Sequence, residues 1–171
     1  ARDVLGGDAH VASLLLVVFS IGIAIGSLLC ETLSHRSVEI GLVPVGAIGM
    51  SVFAFDLYLA SQGLSHPAGA PLATVSEFLG NHANWRVMAD LALLAFSAGL
   101  YSVPMYALIQ LRAKPSHRAR IIAANNILNA LFMIVSAVAA GAMLSSGFTI
   151  PQVFGATALL NVIVVGYLFW L

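Results

Sequence analysis

The run Val11-Ala12-Ser13-Leu14-Leu15-Leu16-Val17-Val18-Phe19-Ser20-Ile21-Gly22-Ile23-Ala24-Ile25-Gly26-Ser27-Leu28-Leu29-Cys30 contains no charged side chain. Its length matches the ~20 residues a helix needs to cross the hydrocarbon core of a bilayer. Four further apolar runs follow at Val38–Ser61, Val87–Leu111, Ile121–Leu144 and Pro151–Leu171. In lipid every backbone polar group must be satisfied internally, which leaves helices or a closed barrel. These runs lack the alternation of barrel strands, so all five read as transmembrane helices. The expectation is an all-α integral membrane fold, with residues 1–171 forming a single membrane domain.

Composition agrees. Of the 171 residues 60% are hydrophobic and 8% charged, and the mean hydropathy is +0.99. A soluble domain carries about 25% charged residues, so a soluble enzyme is excluded. Seven basic and seven acidic residues give a formal charge of zero, which removes the basic footprint of a nucleic-acid binder. Cys30, the single cysteine, has no partner for an internal disulfide and no His or Cys neighbour at metal-ligand spacing.

The chain opens on Ala1-Arg2-Asp3 without a methionine, and its first apolar run is a full span rather than a cleavable signal peptide. It closes on Tyr167-Leu168-Phe169-Trp170-Leu171 with no polar exit. Both ends read as cuts in a longer membrane protein.

Charge sets the orientation. Arg36 lies between spans one and two, and Arg112, Lys114, Arg118 and Arg120 lie between spans three and four, whereas the other side holds only Arg2 and Arg86. Lysine and arginine accumulate on the cytoplasmic face, so span one runs inward and the last span ends inside. The outer side then carries Asp3, Asp8 and Glu77, with Asp56 and Asp90 near the outer ends of spans two and three. Asp90 is expected in the first turn of its helix, where the dipole favours a carboxylate. The long outer connection Gln62–Arg86 is broken by Pro67, Gly69, Pro71 and Gly80, with a weak helical run around Val75–Leu79.

Small residues mark packing faces. Gly22 and Gly26 form a Gly-x-x-x-Gly pattern, and Ala95 with Gly99, Gly46 with Gly49, and Ala137 with Gly141 supply similar surfaces. Such faces either slide in a conformational cycle or simply pack a bundle. Pro44 and Pro104 each remove a backbone hydrogen bond and are candidate kinks.

Polar groups inside spans are more telling, because lipid makes them costly. Ser102, Tyr106 and Gln110 recur at i, i+4 and i+8 along one face of span three, and Asn125 and Asn129 share a face of span four. They either line a substrate path or hydrogen-bond helix to helix. Asn161, alone in span five, reads as glue to a neighbouring helix, and Glu31, Arg36 and Glu39 as a local ion-pair cluster at the first inner loop.

Catalytic patterns fail. No histidine has an aspartate five residues on, no His-Glu-x-x-His occurs, and Gly49-Met50-Ser51-Val52-Phe53 lacks the second glycine of a nucleophile elbow. No phosphate-cradling glycine loop occurs either. The expectation is a non-enzyme without metal or cofactor.

The stretch Gly99-Leu100-Tyr101-Ser102-Val103-Pro104-Met105-Tyr106-Ala107-Leu108-Ile109-Gln110, with the basic loop and Ala123-Ala124-Asn125-Asn126-Ile127-Leu128-Asn129 after it, resembles the lysophospholipid transporter branch of the major facilitator superfamily. That branch includes members fused to acyltransferase and acyl-carrier-protein synthetase domains. Ser20–Leu29 and Ile150-Pro151 fit the same branch, and Val-Pro-x-x-Ala-Leu-x-Gln over Val103–Gln110 is the most distinctive part. The superfamily's loop signature, Gly-x-Leu-x-Asp-Arg-x-Gly-Arg-Arg, is degenerate: Gly26 and Leu28 match, but Cys30 and Glu31 stand at the Asp and Arg positions.

The resemblance implies that these spans are helices eight to twelve of a twelve-helix fold in the bacterial inner membrane, moving lysophospholipids inward for reacylation. It implies membrane lipids, the lysophospholipid substrate, the remaining helices of the transporter and a fused or separate acyltransferase as partners. It further implies that spans two and five face lipid while one, three and four line the path, with Tyr167, Phe169 and Trp170 as interfacial anchors. Two alternatives stay open: an exporter of drugs or metabolites, and a membrane domain that scaffolds a fused acyltransferase.

Overall fold

The computed structural model describes residues 2–33, 41–62, 64 and 70–170. Among them the elements are α1 (Arg2–Leu5), α2 (Ala9–Leu33), α3 (Leu42–Gln62), α4 (Val75–Gly80), α5 (His82–Arg112), α6 (Arg118–Ser145) and α7 (Ile150–Trp170). The protein is all-helical, with no strand among the described residues and one isolated bridge between Gly7 and Ala73. Five helices, α2, α3, α5, α6 and α7, are long and apolar enough to cross a membrane. Each coincides with one of the five apolar runs of the sequence.

The ends are set by local chemistry. The Asp8 carboxylate accepts from the Val11 N–H at 2.9 Å and caps α2. Backbone bonds from Asp8 to Ala73 (3.1 Å) and from Ala73 to Gly6 (2.7 Å) tie this entrance to the long α3–α5 connection. In that connection the weak helical run is α4, where the Thr74 N–H donates to Glu77 at 2.8 Å and the Thr74 hydroxyl does the same. Those two donors hold the Glu77 carboxyl below its ordinary range.

Two expectations are corrected. Asn81 caps α5 by accepting from the Ala83 N–H at 3.1 Å, so the helix begins at His82 rather than Val87. Asp90 therefore sits about two turns inside α5, beyond reach of the first-turn N–H groups, and the dipole does not account for it. Likewise, α3 begins at Leu42. Pro44 falls in its first turn, where no intrahelical acceptor is lost and no kink is needed. Pro104 is buried inside α5, which runs unbroken past it.

Packing runs in a row. α5 lies along α2 on one side and α3 on the other, and α3 also lies along α7. The contact registers give the direction of each helix. A Cβ on Gly22 would stand 2.5 Å from the Ala92 carbonyl oxygen, one on Gly99 2.7 Å from the Ile23 carbonyl oxygen, and one on Gly26 would run into the Phe96 carbonyl. Positions on both chains rise together, so α2 and α5 are parallel, and only glycine admits this approach. Gly46 meets the Tyr101 N–H and Ser97 carbonyl, while Asp56 meets Arg86, so α3 runs against α5. Asn161 bonds to Ala47 and Ser51 whereas Gly155 faces Tyr58, so α7 runs against α3. This alternation is what successive spans of one membrane require.

α6 differs from its neighbours. It has no buried residue and touches α5 and α7 only sparsely. A Cβ on Gly141 would meet nothing within 4 Å, so the Ala137–Gly141 face has no partner among the described residues. α3 and α7 pack on each other and each keeps an exposed apolar face, Val45, Val52 and Phe55 on one, Leu159 and Ile163 on the other.

Candidate functional site

The two polar faces meet. The Asn129 side-chain amide of α6 donates to the Tyr106 hydroxyl of α5 at 2.9 Å, although both residues are exposed. Ser102, one turn earlier on α5, donates at 2.6 Å to the carbonyl of Ala98 in its own helix, so its hydroxyl proton is satisfied within α5. Asn125 is half-buried one turn below Asn129, and Gln110 is exposed at the end of the stripe. Tyr106 and Asn129 are thus the pair that joins the helices, and Ser102, Gln110 and Asn125 extend the polar surface on either side.

Directly below, α5 ends and α6 begins in a tight turn. The Ala113 N–H closes on the Ile109 carbonyl at 3.1 Å and the His117 N–H on Lys114 at 2.8 Å. Arg112, Lys114, His117 and Arg120 line a cavity of about 580 Å³ in this turn. Arg118 is exposed beside it. The turn that follows the stripe in the chain thus gathers positive charge, an arrangement suited to an anionic group. Of the expected Glu31–Arg36–Glu39 cluster, Glu31 is exposed at the end of α2, while Arg36 and Glu39 lie outside the described residues.

Glycines 22, 26 and 99 belong to the α2–α5 seam and not to the stripe, and Pro104 is buried within α5. Asn161 acts as the glue its isolation suggests. Its amide donates at 2.9 Å to both the Ala47 carbonyl and the Ser51 hydroxyl, and Ser51 passes its own proton to Ala47 at 3.2 Å. Next to this contact α3 and α7 enclose a crevice of about 420 Å³ lined by Phe55, Tyr58, Gly155 and Val162.

A second polar centre lies at the other end of the α3–α5 seam. Arg86 gives its Nε to Asp56 Oδ2 at 3.2 Å and an Nη to Asp56 Oδ1. This fork matches the Arg86 charge on the spot. Asp90, one turn further along α5, is 5% exposed, and its Oδ2 has no hydrogen-bond partner among the described residues. The spacing of Arg86 and Asp90 at i, i+4 was legible, but the pairing with Asp56, thirty residues away, was not. Trp85, 58% exposed, donates its indole N–H to Leu79 at 2.8 Å and stacks near His82 at the start of α5. The sequence matches no family model, and neither a curated protein nor a solved structure matches it.

Proposed function

We propose that this chain is a five-helix part of the C-terminal half of a lysophospholipid transporter of the major facilitator superfamily. In this reading it lies in a bacterial inner membrane, where it moves lysophospholipid inward by alternating access and delivers it to an acyltransferase. The observation that carries the reading is the polar face shared by α5 and α6, joined at Tyr106 and Asn129 and followed, in the turn between the two helices, by a shallow hollow lined by Arg112, Lys114 and Arg120. A zwitterionic headgroup crossing the membrane needs hydrogen-bonding partners along its way and a positive site for its phosphate at the end. Its single acyl chain needs only apolar wall or lipid. Resemblance of Gly99–Gln110 to that transporter branch supports the same function, and the unburied surface of α6 suits a helix that meets the remaining helices of the transporter across a central path.

The test is inward movement of labelled lysophosphatidylethanolamine into vesicles holding the intact protein that carries this chain. Protein-dependent, saturable movement that falls in Gln110→Leu is expected. Movement no faster than in protein-free vesicles overturns the reading, and transport of drug-like amphiphiles without lysolipid assigns the path to an exporter instead.

A further inference from the structure

Asp56, Arg86 and Asp90 bring two carboxylates and one guanidinium to the outer end of the α3–α5 seam, one negative charge in excess. The guanidinium nitrogens that reach a carboxylate reach that of Asp56. Asp90 is 5% exposed, lies against the Asp56 carboxyl and leaves Oδ2 buried without a hydrogen-bond partner among the described residues. Among the described residues, the charged groups acting on Asp90 are Asp56 and Arg86. α2, packed on the far side of α5, carries none between His10 and Cys30, and Glu77 of α4 is tied to Thr74. Leaving a buried carboxylate without a partner is strongly unfavourable. A water molecule would satisfy the orphan oxygen and leave the excess charge uncompensated. A single positive charge answers both.

We propose that Asp90, with Asp56 beside it and Arg86 at the mouth, binds one monovalent cation, a proton or a sodium ion, taken from the outer side. Arg86 is 55% and Asp56 35% exposed in their side chains, so the ion reaches Asp90 past the Arg86–Asp56 fork. Intramembrane carboxylates of this kind mark ion pathways. This binding does not depend on the transport reading above.

The probe is dicyclohexylcarbodiimide, a membrane-soluble reagent that captures a carboxyl carrying a proton, applied to the intact protein in vesicles and mapped by mass spectrometry. Thermal unfolding with and without sodium chloride, against choline chloride, runs in parallel. For a proton, Asp90 is labelled, the label fades as the medium is made alkaline, and sodium changes nothing. For sodium, the ion protects Asp90 or raises the unfolding temperature, and the isosteric Asp90→Asn abolishes that shift. Asp56→Asn, which keeps Asp90, is the second variant and is expected to weaken either signal. The proposal is overturned if folded protein shows neither labelling at Asp90 nor a sodium shift, or a sodium shift that survives Asp90→Asn. Lysolipid movement measured in the same vesicles separates the two readings: labelled Asp90 without any movement removes the transport function and leaves the cation site standing.

Discussion

The Asn129 amide of α6 stands 2.9 Å from the Tyr106 hydroxyl of α5 and donates to it, which links a helix without buried residues to the most centrally packed one. Interhelical bonds of this type contribute about 0.6 kcal/mol on average in membranes. Tyr106→Phe and Asn129→Leu are each expected to lower stability by about that amount, with the double variant no worse than either single one. A double-mutant cycle on unfolding free energies measures this. Gln110→Leu, at the exposed end of the stripe, is expected to leave stability unchanged while slowing lysolipid movement. If it lowers stability as well, Gln110 is structural.

Asn161→Leu removes two bonds at 2.9 Å to Ala47 and Ser51 and strands the buried Ser51 hydroxyl as an acceptor. The expected loss is about 1 kcal/mol of stability, read from thermal unfolding, with lysolipid movement per folded molecule preserved. Reduced movement at wild-type stability would bring α7 into the path.

Gly26→Val drives a side chain into the Phe96 carbonyl. Backbone cannot yield as a side-chain tip does, so α2 and α5 must separate, at a cost at or above the ~1–3 kcal/mol of ordinary overpacking. Gly166→Ala in α7 is the control, because a Cβ there meets nothing within 4 Å. Folded yield in detergent is expected to fall sharply in the first variant and to hold in the second.

Cysteines at Ser116, in the basic turn, and at Ser146, at the far end of α6, are expected to label from opposite sides of the membrane. Both positions are exposed. The native Cys30 is 2% exposed and is replaced by alanine in the assay. Same-side labelling would end the assignment of α6 as a span.

Glu77 contributes through its bonds with Thr74, and its carboxyl titrates below the ordinary range. A depressed folded-state value means that the contribution is complete above the ordinary glutamate range and is lost as pH falls through the lowered one. Hydrogen exchange at the Thr74 amide is expected to lose protection on acidification, and Glu77→Gln is expected to remove that pH dependence. Protection unchanged by acid in the native protein would contradict the capping role.

Hydropathy along the chain is enough to locate the five helices long enough to span, because lipid imposes one rule on each segment separately: satisfy the backbone within a helix. The same local logic makes Gly22, Gly26 and Gly99 readable as contact points and Asn161 as glue. The start of α5 was misplaced because its first turns, His82 to Arg86, are polar, and hydropathy is silent outside the hydrocarbon zone. An N-cap signal at Asn81 was present in the sequence and would have moved Asp90 into the helix interior.

Partnership across long separations lay beyond any such reading. That Asn129 finds Tyr106 rather than Ser102, that Asn161 reaches Ser51, and that Arg86 spends its fork on Asp56 and leaves Asp90 with a buried, unmatched oxygen all depend on which helices lie side by side and at what register. Register is decided by where small residues let two backbones close, a property of pairs of helices. A single apolar segment specifies its own helix and its ends, and only the packed bundle specifies which of its polar side chains are answered.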